Sequence, residues 1–407
     1  MALSIFFPSV TGLDAQSNAL GTVSDNIANM RTTGYKSAET MFYTLLGSQP
    51  SVKSNASGLH SSRVDVHGVG DYTRYNILKS GLISTTGNVF DVALQQSNAF
   101  FMVDDGYGNT YYTRAGNFDT LDVDGTTYLV GNNGYVVQGF KATENGGFAS
   151  EVSNIDFNPL DVMPSVPTSE MEVTANVPAD GVEKSAYSMT VYGPNNDGAN
   201  MSMIFTKVPD KLNTWTITFA VDGAQAATAE PVEAVFSSEG ELISPKTMTV
   251  NVEWNDGSSG NINVDITNIT QYAGDDGETY VYQDGAPSGQ LVSTFINDKG
   301  VLTAKYSNNR EVDIAKLAVV GFRAPENLVP VSGTMFEAYS DAGESHYVIG
   351  PDTDLTGIVL SQSLEASNVN VEEEFSEMIQ VQRAYGLNAN AFTVANEMTS
   401  VLVDLKS

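Results

Sequence analysis

The chain has 407 residues, with 19 Lys and Arg against 49 Asp and Glu, a net charge of -30 and no cysteine. That composition excludes disulfide and thiolate chemistry. It also leaves no basic stripe to neutralise nucleic-acid phosphates or an anionic membrane surface.

Hydrophobic residues make up 41% of the chain and glycines number 36, a balance that suits a turn-rich β protein with thin cores. The length is too great for one ordinary core and calls for roughly two to four domains. No stretch approaches the roughly 20 apolar residues of a membrane helix, so no membrane insertion is expected. The first basic residue is Arg31, so the start lacks the charged n-region of a secretory signal. Export without a cleaved signal peptide, or a cytoplasmic life, is the expectation.

In chain order, residues 3–29 predict an amphipathic helix. Phe6, Leu13, Leu20 and Ile27 recur every seven residues, with Leu3, Val10 and Val23 beside them, which reads as a coiled-coil-like seam. Pro8 is tolerated if it falls in the first turn. Asn26, Asn29 and then Gly34 mark the stop, since glycine takes the left-handed conformation that ends helices. Residues 37–70 are rich in Ser and Gly and predict an extended or irregular connector.

The period then switches to two. Trp215, Ile217, Phe219 and Val221 alternate with polar residues, as do Met248, Val250, Val252 and Trp254, and Ile262, Val264 and Ile266, which predicts half-buried strands. Hairpin turns are expected at Asp105-Gly106, Asn133-Gly134 and Asn308-Asn309. Charge is uneven along this region. Residues 1–70 hold 4 acids and 4 bases, whereas residues 146–286 hold 21 acids and 4 bases. Such an acidic segment reads as a solvated surface.

Residues 370–406 predict a second helix, roughly 55 Å long at about 1.5 Å per residue. Phe375, Met378, Tyr385, Phe392, Met398, Leu402 and Leu405 follow spacings of three and four or their sums. Glu372, Glu373, Glu374 and Glu377 occupy the first turns, where the helix dipole favours negative charge. Two long one-sided helices at opposite ends are expected to pack on each other and on copies of themselves, because a lone helix is marginal in water.

The fold class is therefore mainly β with long terminal α-helices, in nested discontinuous domains. Residues 1–36 and 366–407 form a paired-helix polymerisation domain. Residues 37–70 form the connector, 71–145 with 287–365 an inner β domain, and 146–286 an outer acidic β domain. The ends are expected to be loosely ordered in the monomer and to fold on assembly.

Catalytic and metal-binding patterns are missing. His60, His67 and His346 have no partner at ligand spacing. Gly34-Tyr35-Lys36-Ser37 lacks the upstream glycine of a phosphate loop and reads as a helix-ending turn. The acidic turns at Asp104-Asp105-Gly106, Asp122 to Gly125 and Asp275 to Glu278 do not match calcium-loop spacing and read as hairpin or loop turns. No enzyme activity and no cofactor are expected.

The end motifs carry a resemblance. Gly12-Leu13-Asp14-Ala15, continuing through Asn26-Ile27-Ala28-Asn29 to Thr33-Gly34-Tyr35-Lys36, resembles the N-terminal signature of the bacterial flagellar rod and hook axial protein family. Asn98 to Val103, followed by Tyr112-Thr113-Arg114-Ala115-Gly116-Asn117-Phe118, resembles that family's inner β domain, as does Val137-Gln138-Gly139. Leu364-Glu365-Ala366-Ser367-Asn368-Val369, leading into Met378 to Tyr385 with Arg383, resembles its C-terminal helix. Residues 146–286 carry no diagnostic motif.

Family rod proteins are much shorter, and the long β insert with the connector resembles the hook branch. The resemblance implies a flexible tubular homopolymer that transmits motor torque from rod to filament. It implies export by the flagellar type III apparatus, and the distal rod, hook cap and hook-filament junction proteins as partners. A distal rod or other axial protein is the alternative reading. A surface adhesin or carbohydrate-binding β protein with helical tails is a more distant one.

Overall fold

The computed structural model describes residues 3–46, 66–143, 146–159, 161–195, 198–274, 279–332, 334–343, 345–353 and 357–404. Helix α1 spans Leu3–Ala28 and helix α2 spans Val371–Asp404, close to the expected ranges. α2 carries Glu372, Glu373 and Glu374 in its first turn, as the dipole argument requires. Pro8 lies five residues into α1, where the ring removes one backbone bond near the start and leaves the helix to continue.

Chain contacts divide the molecule into two units. The first holds residues Met1–Asn158, Thr294–Thr303 and Asp313–Ser407. In it, strand β1 (Ala38–Leu46) pairs antiparallel with strand β2 (Val66–Tyr75), and both lie against α1. Of the extended or irregular connector expected over 37–70, both ends are regular strand. Thr40, Phe42, Tyr43 and Thr44 are β-prone, and the Ser- and Gly-rich composition that hides them is concentrated in residues 47–65, which lie outside the described residues.

The β body of this unit is built around strand Ala99–Asp104. It pairs with Thr110–Thr113 on one edge, and with Val319–Gly321 and Val136–Lys141 on the other. Successive side chains of a strand point to opposite faces. Phe100 and Phe101, both fully buried, accordingly anchor separate apolar clusters. Phe101 packs with Phe118, Leu317 and Val319, while Phe100 packs with Phe322, Phe336 and Ile77.

The second unit holds Pro159–Ser293 and Ala304–Val312. Two five-stranded sheets face each other across one core. Strands Lys184–Tyr192, Gly198–Lys207 and Thr214–Asp222 form a continuous antiparallel meander in one sheet. Strands Thr247–Glu253 and Ser259–Asp265 form a hairpin in the other. Trp215, Ile217, Val250, Val252, Trp254, Ile262, Val264 and Ile266 are buried between them. Phe219 and Val221 are only partly buried against the same core.

The unit limits differ from the expected 146–286. Residues Ser153–Asn154 and Asp156–Phe157 add short strands to Val136–Lys141 and Thr126–Val130 in the first unit, with Ile155 fully buried between them. Residues 287–293 and 304–312 belong to the second unit instead. Composition places the first border early because the acidic run already begins at Glu151 and Asp156, inside the first unit.

Candidate functional site

The two end helices run antiparallel. The Phe6 and Phe392 rings meet edge-to-face with centroids 5.4 Å apart, Gly12 faces Asn388, and Asn26 reaches Glu374. The face that α1 buries is not the predicted seam of Phe6, Leu13, Leu20 and Ile27, which are only half-buried. The buried stripe is Gly12, Ala15, Ala19, Val23 and Asn26. A Cβ at Gly12 would stand 2.8 Å from Asn388 Nδ2, so the small residues set how closely the axes approach. On α2 the deepest positions, Glu374, Val381 and Ala395, fall on one seven-residue repeat that also contains the half-buried Asn388.

The larger apolar residues flank this contact and remain open. Val10 is 39% exposed, Phe375 50%, Tyr385 44%, Phe392 38% and Met398 55%, while Met378 is half-buried. Val23 alone among the predicted packing residues is fully buried. The Leu402 side chain and Leu405 lie outside the described residues.

At the foot of the pair, Asn26 Nδ2 donates to Ala38 O at 2.7 Å and to Glu374 Oε1 at 3.0 Å. Asn26 Oδ1 accepts from Ala38 N at 2.9 Å and from the Tyr35 hydroxyl at 3.2 Å. This one buried amide ties α1, β1 and α2 together. Burial, with nearby Tyr75, Asp25 and Glu374, pushes the Tyr35 hydroxyl up to about 12. Asn29 instead finishes its own helix, donating to Asp25 O and accepting from Thr32 Oγ1.

Behind the foot lies a buried charge node. Glu365 Oε1 accepts from Lys36 Nζ at 2.8 Å and from Gly81 N at 2.8 Å. Glu365 Oε2 accepts from Arg114 Nε at 2.9 Å and Nη2 at 2.6 Å. The remaining Arg114 donors reach the carbonyls of Leu94, Gln96 and Ala99, and Lys36 also donates to that of Lys79. All three side chains are 0–1% exposed. Burial opposes charge on Glu365, but Arg114 and Lys36 outweigh it and hold the carboxyl below its usual range. Burial lowers Lys36 and Arg114 in turn, against the pull of Glu365.

The three sequence motifs meet here. Gly34 has φ +69°, and a Cβ there would come within 2.6 Å of Ala115 N. Its amide donates to Glu365 O at 2.8 Å. Gly116 lies so close to Val92 O that no Cβ fits. Asn117 bridges to Asp91, and Phe118 packs edge-to-face on Phe101. Asn368 accepts from Ser37 N and donates to the carbonyls of Asn76 and Lys79. Arg383 is apart from all of these, exposed on α2.

Glu365 stands in the C-terminal motif and Glu374 among the first-turn acids of the second helix, but neither reads from sequence as a partner for a residue of another motif. The signal was present: two basic residues in separate motifs of an acidic chain need a carboxylate once buried. The acidic turns hold themselves together. Asp104 and Asp105 accept from the amides of Gly106, Tyr107 and Asn109, and Asp124 and Gly125 take positive φ in the hairpin after Asp119–Val123. Residues 275–278 and His60 lie outside the described residues, and so does the His67 side chain. His346 is exposed in a strand. Among the described residues no three His, Asp or Glu side chains are grouped to hold a metal, and no helix is long and apolar enough to cross a membrane.

Comparison with known proteins follows the same layout. Residues 9–36 match the model of the flagella basal body rod protein, and 96–185 that of the flagellar hook protein FlgE/F/G D1 domain. Residues 159–286 match the flagellar basal body protein FlaE D2 domain, and 360–405 the flagellar basal body rod FlgEFG protein C-terminal model. The flagellar hook protein FlgE of Brucella suis is 31% identical over 411 residues, covering 98% of this chain and 97% of that protein. The chain belongs to the flagellar hook protein FlgE family. FlgE of Rhizobium meliloti is 30% identical, with 98% and 97% covered, and FlgE of Salmonella typhimurium is 27% identical, with 98% and 100% covered. The crystal structure of Helicobacter pylori FlgE2 shares the fold, with TM-score 0.52 and 12% identity over 70% of this chain and 99% of that one.

As a FlgE-family member, the chain is a structural subunit of the flagellar hook, and it polymerises within the flagellar axis. The FlaE D2 match begins at residue 159, where the second unit begins, and not at 146.

Proposed function

We propose that the α1–α2 pair is the polymerising element and forms the inner wall of the hook tube, with the acidic sandwich as the solvent-facing layer. The observation that carries this is the split on the helices: small residues fill the contact within the subunit, while Val10, Phe375, Tyr385 and Met398 stay open. Covering one such side chain fully is worth roughly 1.5–3 kcal/mol, so a few per neighbour suffice in a repeating array. The open faces of the two helices differ, which suits heterologous contacts between copies, and such contacts build an open helical filament where they do not close into a ring. The charged outer surface makes weak, screened contacts that slide as the tube bends and carries torque from rod to filament.

The same reading gives the distal rod, the hook cap, the hook-filament junction proteins and the type III export apparatus as partners, and export without a cleaved signal peptide. Removing residues 371–407 tests the core of it. The truncated chain keeps Glu365 and Asn368, and is expected to fold its β units and sediment as a monomer where the full chain forms tubes. Tubes of normal yield from the truncated chain, seen by negative-stain microscopy, rule the assignment out.

A further inference from the structure

The acidic sandwich has four sheet edges, and three of them are short: Ala226–Thr228, Leu242–Ser244 and Tyr280–Gln283. The fourth, Lys184–Tyr192, runs for 9 residues. An edge of that length presents a row of unpaired backbone groups to any further strand, unless proline, charge or a cover blunts it. This edge has no proline, and its one charge is Lys184 at the end.

The ladder fixes which groups are free. Lys207 N donates to Glu183 O, so odd-numbered residues turn their backbone to the neighbouring strand and even-numbered ones turn outward. At Tyr192 the outward groups are taken, since its carbonyl accepts from Thr168 N and its amide donates to Thr168 Oγ1. The outward amides and carbonyls of Ala186, Ser188 and Thr190 meet no partner among the described residues. The side chains of Ser188 and Thr190 do not compete for them, because they bond to Ser202 and Asn200 on the adjacent strand. Charge is missing here as well. Residues 146–286 hold 21 acids and 4 bases. The outer face of the meander, with Ser188, Asn200 and Ala220, nevertheless carries no charged residue between Lys184 at one end and Asp222 at the other.

We propose that this edge is a self-recognition surface, pairing antiparallel with the same strand of a second copy about Ser188. In that register Ser188 faces Ser188 and Ala186 faces Thr190, so every free amide of one copy meets a free carbonyl of the other. Residues directly opposite share a face, so the two sheets join with their buried faces on one side. The uncharged patch lets two acidic units approach at short range. Their overall charge keeps the contact weak, and dilute subunits stay single. The pairing has a two-fold axis at Ser188. Copies that repeat within one tube through heterologous contacts share no such axis, so the pairing joins unassembled subunits or separate tubes. Bridging of tubes rests on the sandwich being the solvent-facing layer, whereas the pairing itself belongs to the subunit.

The chain has no cysteine, so single-cysteine variants of the full-length, unassembled subunit test this cleanly. They are oxidised with diamide, and covalent dimer is read on a denaturing gel. Facing residues of a hydrogen-bonded pair have Cα atoms about 5.5 Å apart, within disulfide reach. Thr190 is the register control, since in this pairing it stands four residues from its counterpart, roughly 14 Å and out of reach. Ala220, exposed on the same face two strands inward, is the collision control. Ser188→Cys is expected to dimerise at least about tenfold faster than Thr190→Cys or Ala220→Cys, because pairing raises the effective thiol concentration. A mixture of Ala186→Cys with Thr190→Cys is expected to cross-link between the two variants equally fast. Equal rates for Ser188→Cys and the two controls overturn the proposal, and so does a mixed pair no faster than Thr190→Cys alone. Should Ser188→Cys misfold, the mixed pair decides against the same controls. Unassembled subunit is used throughout, so the result stands whether or not the helix pair proves to be the polymer contact.

Discussion

Glu365→Ala is expected to destabilise the first unit by about 3–5 kcal/mol, because it leaves two buried cations without their counter-charge. Lys36 and Arg114 are 0–1% exposed, so water cannot replace the lost carboxylate. The backbone carbonyls that also bind them are already engaged. Urea unfolding of the isolated subunit measures the loss, and the midpoint should fall without a change in slope. A loss under about 1 kcal/mol, typical of exposed pairs, refutes the node as described.

Acid has the same effect through a different route. A carboxyl held low on folding contributes stability above its unfolded value, which is lost as pH falls through the folded value. The node therefore fails below the ordinary glutamate range. Replacing all three node residues by apolar ones of similar volume is expected to restore much of the stability. That outcome would identify the node's value as the fixing of three motifs in one arrangement.

The second large effect separates the two faces of α1. Leu20→Asp places a charge on the half-buried flank, and is expected to abolish polymerisation while monomer helix content stays as in wild type. Ala19→Leu enlarges the buried stripe, where Ala19 is 1% exposed, and is expected to cost about 1–3 kcal/mol as the helices are forced apart. Circular dichroism reports the helix pair and electron microscopy reports tubes. If Leu20→Asp unfolds the pair while Ala19→Leu is silent, the stripe of Gly12, Ala15, Ala19 and Val23 is not the packing face and the seam at Phe6, Leu13, Leu20 and Ile27 is the internal one.

The period of seven in α1 was visible, but the hydrophobic pattern pointed to its larger residues. Hydropathy ranks Leu20 above Ala19, and close approach of two helices selects for small volume instead. The same limit hid Gly12, which has no hydrophobic signal at all. In the acidic sandwich the alternation at Met248, Val250 and Val252 identified a strand with one buried face. It could not show that Glu170–Thr174 runs parallel to Ser259–Asp265, since pairing partners distant in sequence leave no local trace. β1 was legible only as part of an extended or irregular connector, because Ser and Gly in the following segment diluted its Thr and aromatic residues.

What the sequence by itself determined are properties carried by neighbours along the chain: two end helices, alternating strands between them, an acidic middle and the motifs of an axial protein family. Tertiary structure alone decided which helix face is buried, where the two units divide, and that Lys36, Arg114 and Glu365 share one buried node. Those outcomes depend on volume fit and on pairing charges hundreds of residues apart, and neither is written in any local window.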